Sequence, residues 1–229
     1  MADTVSRRLI IAIDGPAGAG KTTVASRLAR KLGYMNLESG AMYRALALKA
    51  IEWDTSFDDE EALMTLARKS KIKLEPSYTG NRVCLDNRDV SARVREVDVT
   101  EAASRVSVHP KVRAWMVACQ QKMGEHGGIV MEGRDIGTAV FPGADIKIFL
   151  SADPGVREQR RLAQQGLTGQ AALTAAADLR RRDQRDRSRS ASPLVPAADA
   201  IVLDSTSLSE DEVIHKVEEL VKQRMAGPL

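Results

Sequence analysis

The chain of 229 residues carries 34 Lys and Arg against 31 Asp and Glu, and the resulting charge of +3 is too small to imply a polyanionic partner. Its 43% hydrophobic content is enough for a sizeable core, yet only 3% of residues are aromatic, so that core must be aliphatic. This composition suits an α/β fold and argues against nucleic-acid binding by stacking on aromatic platforms.

Cys84 and Cys119 lack C-x-x-C spacing, and the start has no apolar stretch of signal-peptide length. A reduced, cytoplasmic setting is expected. No apolar run approaches the roughly 18 residues needed to span a bilayer, so no membrane contact is expected either. His109, His126 and His215 share no zinc-like spacing with another His or Cys, which argues against metal ligation by histidine.

In chain order, Leu9-Ile10-Ile11-Ala12-Ile13 reads as a buried strand. It runs into Gly15-Pro16-Ala17-Gly18-Ala19-Gly20-Lys21-Thr22, a complete G-x-x-x-x-G-K-[ST] phosphate loop. Gly15, Gly18 and Gly20 give the backbone the freedom to turn successive N–H groups toward one anion. Lys21 would reach the terminal phosphates of a nucleoside triphosphate, and the Thr22 hydroxyl would coordinate Mg2+.

Lys21 to Leu32 is a helix with Val24, Ala25, Leu28 and Leu32 on one face, stopped at Gly33. A short strand is expected at Tyr34 to Leu37. Ser39 reads as the N-cap of a helix to about Glu52, and Asp58-Asp59-Glu60-Glu61 opens another that runs to about Lys69. The period then changes: Lys71 to Glu75 and Arg82 to Asp86 alternate as strands about a turn at Pro76 to Asn81. Helices are expected from about Arg95 to Val108 and, after a break at Pro110, to Met123. Strands at Ile129 to Met131 and Ile146 to Leu150 precede a helix near Pro154 and an Arg-rich helix from about Gln170 to Ser188. A last strand at Ala200 to Leu203 is followed by a helix capped by Ser209. Strands alternating with helices imply a doubly wound, mostly parallel sheet of about five strands, with ligands at its carboxyl edge.

Ile129-Val130-Met131-Glu132 has the apolar-run-then-acid form of a Walker B strand, and the absence of N-K-x-D argues against a GTPase. Nine arginines but only four acids lie between Arg157 and Arg189. Arg157, Arg160 and Arg161 share one helix face, as do Arg182, Asp186 and Arg189 with Arg185 nearby. Such clusters suit the spread negative charge of phosphoryl transfer, while a solvated, self-paired face is the plainer alternative. The run from Arg185 to Pro193 also has the look of an Arg/Ser RNA-binding or phosphorylation segment.

Four stretches resemble the bacterial cytidylate kinases: IDGPAGAGKTT at Ile13 to Thr23, SGAMYR at Ser39 to Arg44, EGRDIGTAVFP at Glu132 to Pro142, and RDQRDRSRSASPLVPAADAIVLDST at Arg182 to Thr206. The resemblance covers nearly the whole chain. It implies transfer of the ATP γ-phosphoryl group to CMP or dCMP with Mg2+, by a cytoplasmic monomer that binds no nucleic acid. It also implies a core at about 6–38, 128–152 and 196–229, a monophosphate-binding region with its hairpin insert at about 39–127, and a lid with Arg-rich helices at about 153–195.

By the same resemblance, Gly15, Pro16, Ala17, Gly18, Ala19, Gly20, Lys21, Thr22 and Thr23 would hold ATP. Ser39, Arg44, Arg134 and Arg189 would hold the acceptor phosphate, and Ser104, Arg113 and Asp135 would read cytosine. Arg182 and Asp186 would bind the sugar. Arg157, Arg160 and Arg161 would belong to a mobile lid over the triphosphate, with Lys21, Arg134, Arg160, Arg161 and Arg189 carrying the transfer. Glu38 stands where the family often has Asp. A kinase of another small acceptor, such as UMP or shikimate, and a nucleotide-sensing RNA-binding protein are the rival readings.

Overall fold

A computed structural model of the chain describes residues 8–77 and 80–226. In chain order its elements are β1 (Ile10–Asp14), α1 (Lys21–Leu32), β2 (Met35–Glu38), α2 (Ser39–Glu52), α3 (Glu60–Lys69), β3 (Ile72–Ser77), β4 (Gly80–Leu85), β5 (Arg88–Asp89), α4 (Val97–Val106), α5 (Pro110–Met123), β6 (Ile129–Gly133), β7 (Ile146–Ser151), α6 (Pro154–Gln165), α7 (Gly169–Ser188), β8 (Ile201–Asp204) and α8 (Glu210–Ala226). A 3-10 turn at Arg93–Arg95 precedes α4, which runs from Val97 to Val106 within the helix predicted from about Arg95 to Val108. The expected N-cap role of Ser39 is also corrected. Glu38 holds that position, and Ser39 is the first helical residue, its hydroxyl turned to the Glu132 carbonyl at 2.7 Å.

The main sheet is wholly parallel in the order β2-β6-β1-β7-β8, with the phosphate-loop strand at its centre. Alternation along β1 divides the core. Ile11 and Ile13 pack with Val24 and Leu28 of α1 and with Val217 and Val221 of α8, while Ala12 joins Leu37, Met131 and Ile136 on the opposite face. Register brings Glu38 beside Glu132 and Asp14 beside Gly133, so three carboxylates emerge together at the carboxyl edge. A second core joins α2 to α3, α4 and α5, with Met42, Leu46, Leu63, Val99 and Met116 excluded from solvent.

The predicted hairpin belongs to a three-stranded antiparallel sheet, β3-β4-β5. Its strands run further than the predicted turn at Pro76 to Asn81 allows, with Pro76 opposite Asn81 and Ser77 opposite Gly80. The tip at residues 78–79 lies outside the described residues. One side chain ties this insert to the main sheet. Asn81 accepts from the Glu38 N–H at 2.8 Å and donates to the Asn36 carbonyl at 2.6 Å, taking the place of a neighbouring strand along β2.

No periodic pattern predicts the single π-helical turn at Ile136–Val140. Asp14, the last residue of β1, holds it: its two carboxylate oxygens accept from the Ile136 and Gly137 N–H groups at 2.8 and 2.7 Å. Burial nevertheless pushes the Asp14 carboxyl up from 3.8 to about 6, because the two N–H bonds only partly offset the lost hydration and Asp135 repels it. As pH falls from about 6 toward 4, the folded chain takes up a proton that the unfolded chain does not. This group alone therefore stabilises the fold by up to about 3 kcal/mol more at the lower end of that window than at neutral pH. The melting temperature of Asp14→Asn relative to the wild type should rise by several degrees between pH 4.5 and 7.5. A constant offset would show that no buried charge is strained here.

Candidate active site

A cleft of about 880 Å³ opens at the carboxyl edge of the main sheet, lined at one end by Ala17 to Thr23. The three glycines that sequence marks for conformational freedom have φ of 147°, 76° and 94° at Gly15, Gly18 and Gly20. Gly15 and Pro16, expected on the ligand face, do not line the cleft. Gly15 lies against β7, where a Cβ would come within 2.0 Å of the Leu150 carbonyl oxygen. The Pro16 carbonyl accepts from Lys21 Nζ at 2.7 Å.

Lys21 is buried, and desolvation, then repulsion from Arg134, lowers its pKa. Glu132 moves the opposite way, raised by burial and then by Glu38, while a hydrogen bond from Thr22 favours its charged form. Glu132 Oε1 is buried without a partner among the described residues. A hydroxyl and a half-satisfied carboxylate therefore stand together beside the lysine, a set of hard oxygens that fits a magnesium ion.

Further along the cleft, positive charge outweighs negative. Arg44 is held by Glu38 at 2.5 Å, and Arg134 donates through Nε to Asp186 at 2.8 Å. Arg182 lines the same wall and makes no direct ion pair among the described residues; burial and the neighbouring Arg134 push it down to about 10. Burial and Arg44 likewise lower Arg161. These four guanidinium groups come from four separate elements, α2, the turn after β6, α6 and α7, and repulsion between them leaves the cleft wanting an anion.

At the opposite end lie Ser39, Ser104, Arg113, Asp135 and Arg189 with Tyr43. Arg113 pairs directly with Asp135, stacks its guanidinium 5.5 Å above the Tyr43 ring, and donates to the Ser107 carbonyl at 3.1 Å. Arg189 Nη2 is 3.9 Å from Asp135, its Nη1 is 3.5 Å from Asp186, and its Nε donates to the Ser192 carbonyl at 2.6 Å. Arg44 Nε, Arg113 Nε and Arg189 Nη2 are all buried N–H groups without an acceptor among the described residues. Unpaired donors of this kind cost about 1 to 3 kcal/mol each in an empty fold and are satisfied by a ligand that brings oxygen or ring nitrogen.

Most of the residues singled out in the sequence meet in this cleft, and some do not. Arg157 does not line the cleft; it is 4% exposed and bonded behind the phosphate loop to Asp183. Arg160 lines the cleft, but its guanidinium is bound to Ser205 Oγ at 2.9 Å and to the Ser205 carbonyl at 2.7 Å, so it fixes the loop after β8. The self-paired alternative holds for Arg180 with Glu158 and Arg181 with Asp178, both pairs at the surface. Arg185 donates to Ser104 Oγ at 2.9 Å, joining α7 to α4. The Arg/Ser run is helical to Ser188 and turns back at Ser192, where φ is 51°. Tyr43 and Arg95 line the cleft without having been singled out, although Tyr43 falls inside the SGAMYR stretch.

A sequence profile described as Cytidylate kinase matches residues 11–223. A cytidylate kinase of Geobacillus sp. (strain WCH70) is 45% identical over 94% of this chain and 97% of its own length. One from Enterococcus faecalis (strain ATCC 700802 / V583) is 44% identical over 95% and 97%. Among solved structures, an uncharacterized protein from Eubacterium ventriosum superposes with a TM-score of 0.51 at 13% identity, covering 94% of this chain and 99% of that one, a likeness of fold alone. The chain therefore belongs to the cytidylate kinase family.

Proposed function

We propose that this protein transfers the γ-phosphoryl group of ATP to CMP or dCMP. The observation that carries the reading is the cleft itself, which joins a phosphate loop at one end to the buried Arg113–Asp135 pair at the other through a wall of arginines. ATP lies along Ala17 to Thr23, with its base toward the Ser205 to Glu210 loop that Arg160 secures. Bound anionic oxygens draw Lys21 away from Pro16 and restore its full charge, which burial alone opposes. Thr22 and Glu132 would hold Mg2+, which when bound neutralises charge on the triphosphate.

The acceptor phosphate is held by Ser39, Arg44, Arg134 and Arg189, whose guanidinium forks match pairs of phosphate oxygens. Arg161 and Arg182 add positive charge where negative charge spreads over the transferring oxygens. No general base is required, because a phosphate monoester with a second pKa near 6 is already largely dianionic at neutral pH. Asp135 accepts from the exocyclic amine of cytosine, Arg113 donates to its ring acceptors, and Asp186 with Arg182 faces the sugar. Uracil would turn a carbonyl toward Asp135 and leave that buried carboxylate short of a donor.

ADP release from MgATP, measured separately with CMP, dCMP, UMP, AMP, GMP and shikimate, should be fast with CMP and dCMP alone. Turnover confined to another acceptor would overturn the base assignment, and RNA affinity without turnover would overturn the kinase reading. Asp135→Ala should narrow the preference for CMP over UMP by about 10- to 100-fold, equivalent to roughly 1–3 kcal/mol. Unchanged selectivity in that variant would remove Asp135 from base reading.

A further inference from the structure

Arg157 and Asp183 form a buried pair that the reaction described above does not use. Arg157 lies in the first turn of α6 and Asp183 in the last third of α7, and they are 4% and 8% exposed. The Arg157 guanidinium donates through Nη1 to Asp183 Oδ2 and, at 3.1 Å, to the Ala17 carbonyl, while its Nε donates to the Ala152 carbonyl at 3.0 Å. The second oxygen of Asp183 accepts from the Ala17 N–H at 3.4 Å. Both backbone polar groups of Ala17 are thus gripped from behind by side chains of two different helices. The approach is close: a Cβ on Gly18 would come within 2.8 Å of the Arg157 carbonyl oxygen.

Asp183 is also only one helical turn from Asp186, which holds Arg134, and two turns from Arg189. The C-terminal end of α7 therefore touches the phosphate loop on one side and the acceptor end of the cleft on the other. We propose that Arg157 and Asp183 are a positioning pair that locks the phosphate loop and the acceptor-binding end of α7 into one frame, so setting the distance across which the phosphoryl group moves. The inference rests on the phosphoryl-transfer reading. Its effect falls on the transfer step, because an error of about 1 Å between reacting groups can cost on the order of 100-fold in rate. Affinity for either nucleotide alone depends on contacts that each end of the cleft makes by itself.

The test is the double variant Arg157→Met/Asp183→Leu, which keeps side-chain volume and leaves no unpaired buried charge. Melting temperature, the two KM values, kcat with CMP and ADP release without acceptor are measured together. The melting temperature should stay within a few degrees and each KM within about 3-fold, while kcat falls by about 10- to 100-fold and acceptor-independent ADP release rises relative to transfer. A kcat within 2-fold of the wild type overturns the proposal. So does a loss shared evenly by stability, both KM values and kcat, since that is the signature of a structural pair. If the double variant does not fold, Arg157→Lys keeps the charge but lacks the planar fork that spans Ala17 and Asp183, and it should give the same split. Wild-type kcat in Arg157→Lys overturns the proposal as well. A wild type that transfers to a different monophosphate corrects the acceptor alone, since the same split is then read with that acceptor; a wild type without any transfer overturns both readings.

Discussion

Burying several guanidinium groups and an ammonium in one cleft is the constraint on which the rest of this molecule depends. Cations removed from water are costly unless each is met by a partner, and a site that satisfied every one of them would have nothing left for a ligand. The fold resolves this by assigning carboxylates from distant parts of the chain. Glu38 meets Arg44, Asp135 meets Arg113, Asp186 meets Arg134 and Asp183 meets Arg157. Arg44, Arg113 and Arg189 each keep a buried N–H without an acceptor among the described residues, and for Arg182 the repulsion of Arg134 outweighs the attraction of Asp186. The surplus is the binding energy the cleft offers to phosphate.

The same surplus sets the architecture around it. A parallel sheet gathers its strand ends at one edge, and its central strand delivers the phosphate loop there. Glu38 and Glu132 arrive on neighbouring strands at equal height, close enough for Glu38 to raise the pKa of Glu132. Asp14 turns its charge inward to hold the π turn just after Arg134 and Asp135. Anion binding relaxes a set of groups that otherwise disfavour one another, so the ligand also stabilises the fold that receives it.

Much of this is legible in the residues. The glycine spacing of the loop predicts the three positive φ angles, the alternation of apolar runs gives every strand of the main sheet within a residue or two, and the RDQRDR run marks the helix whose last turns line the cleft. What periodicity cannot reveal is the destination of a side chain that shares a face with others. Arg157, Arg160 and Arg161 lie on one side of α6, yet one grips the back of the phosphate loop, one fixes the loop after β8 and one faces the cleft. The first two fates are decided by partners at 183 and 205, distant in sequence, while among the described residues Arg161 donates only to the nearby Gln164 and faces the like charge of Arg44. The π turn escapes for a similar reason: its first N–H groups are satisfied by Asp14, which lies 122 residues before Ile136.

The tie made by Asn81 has a bearing on how the protein behaves in a crowd. A sheet with two bare borders can recruit strands from other chains on either side, and β2 forms one of those borders. Because the Asn81 amide already occupies the Glu38 N–H and the Asn36 carbonyl, the β2 border is closed to any incoming strand. The main sheet is left with the four residues of β8 as its one open side, and that side ends in the charge of Asp204, a poor template for the growth of a fibre.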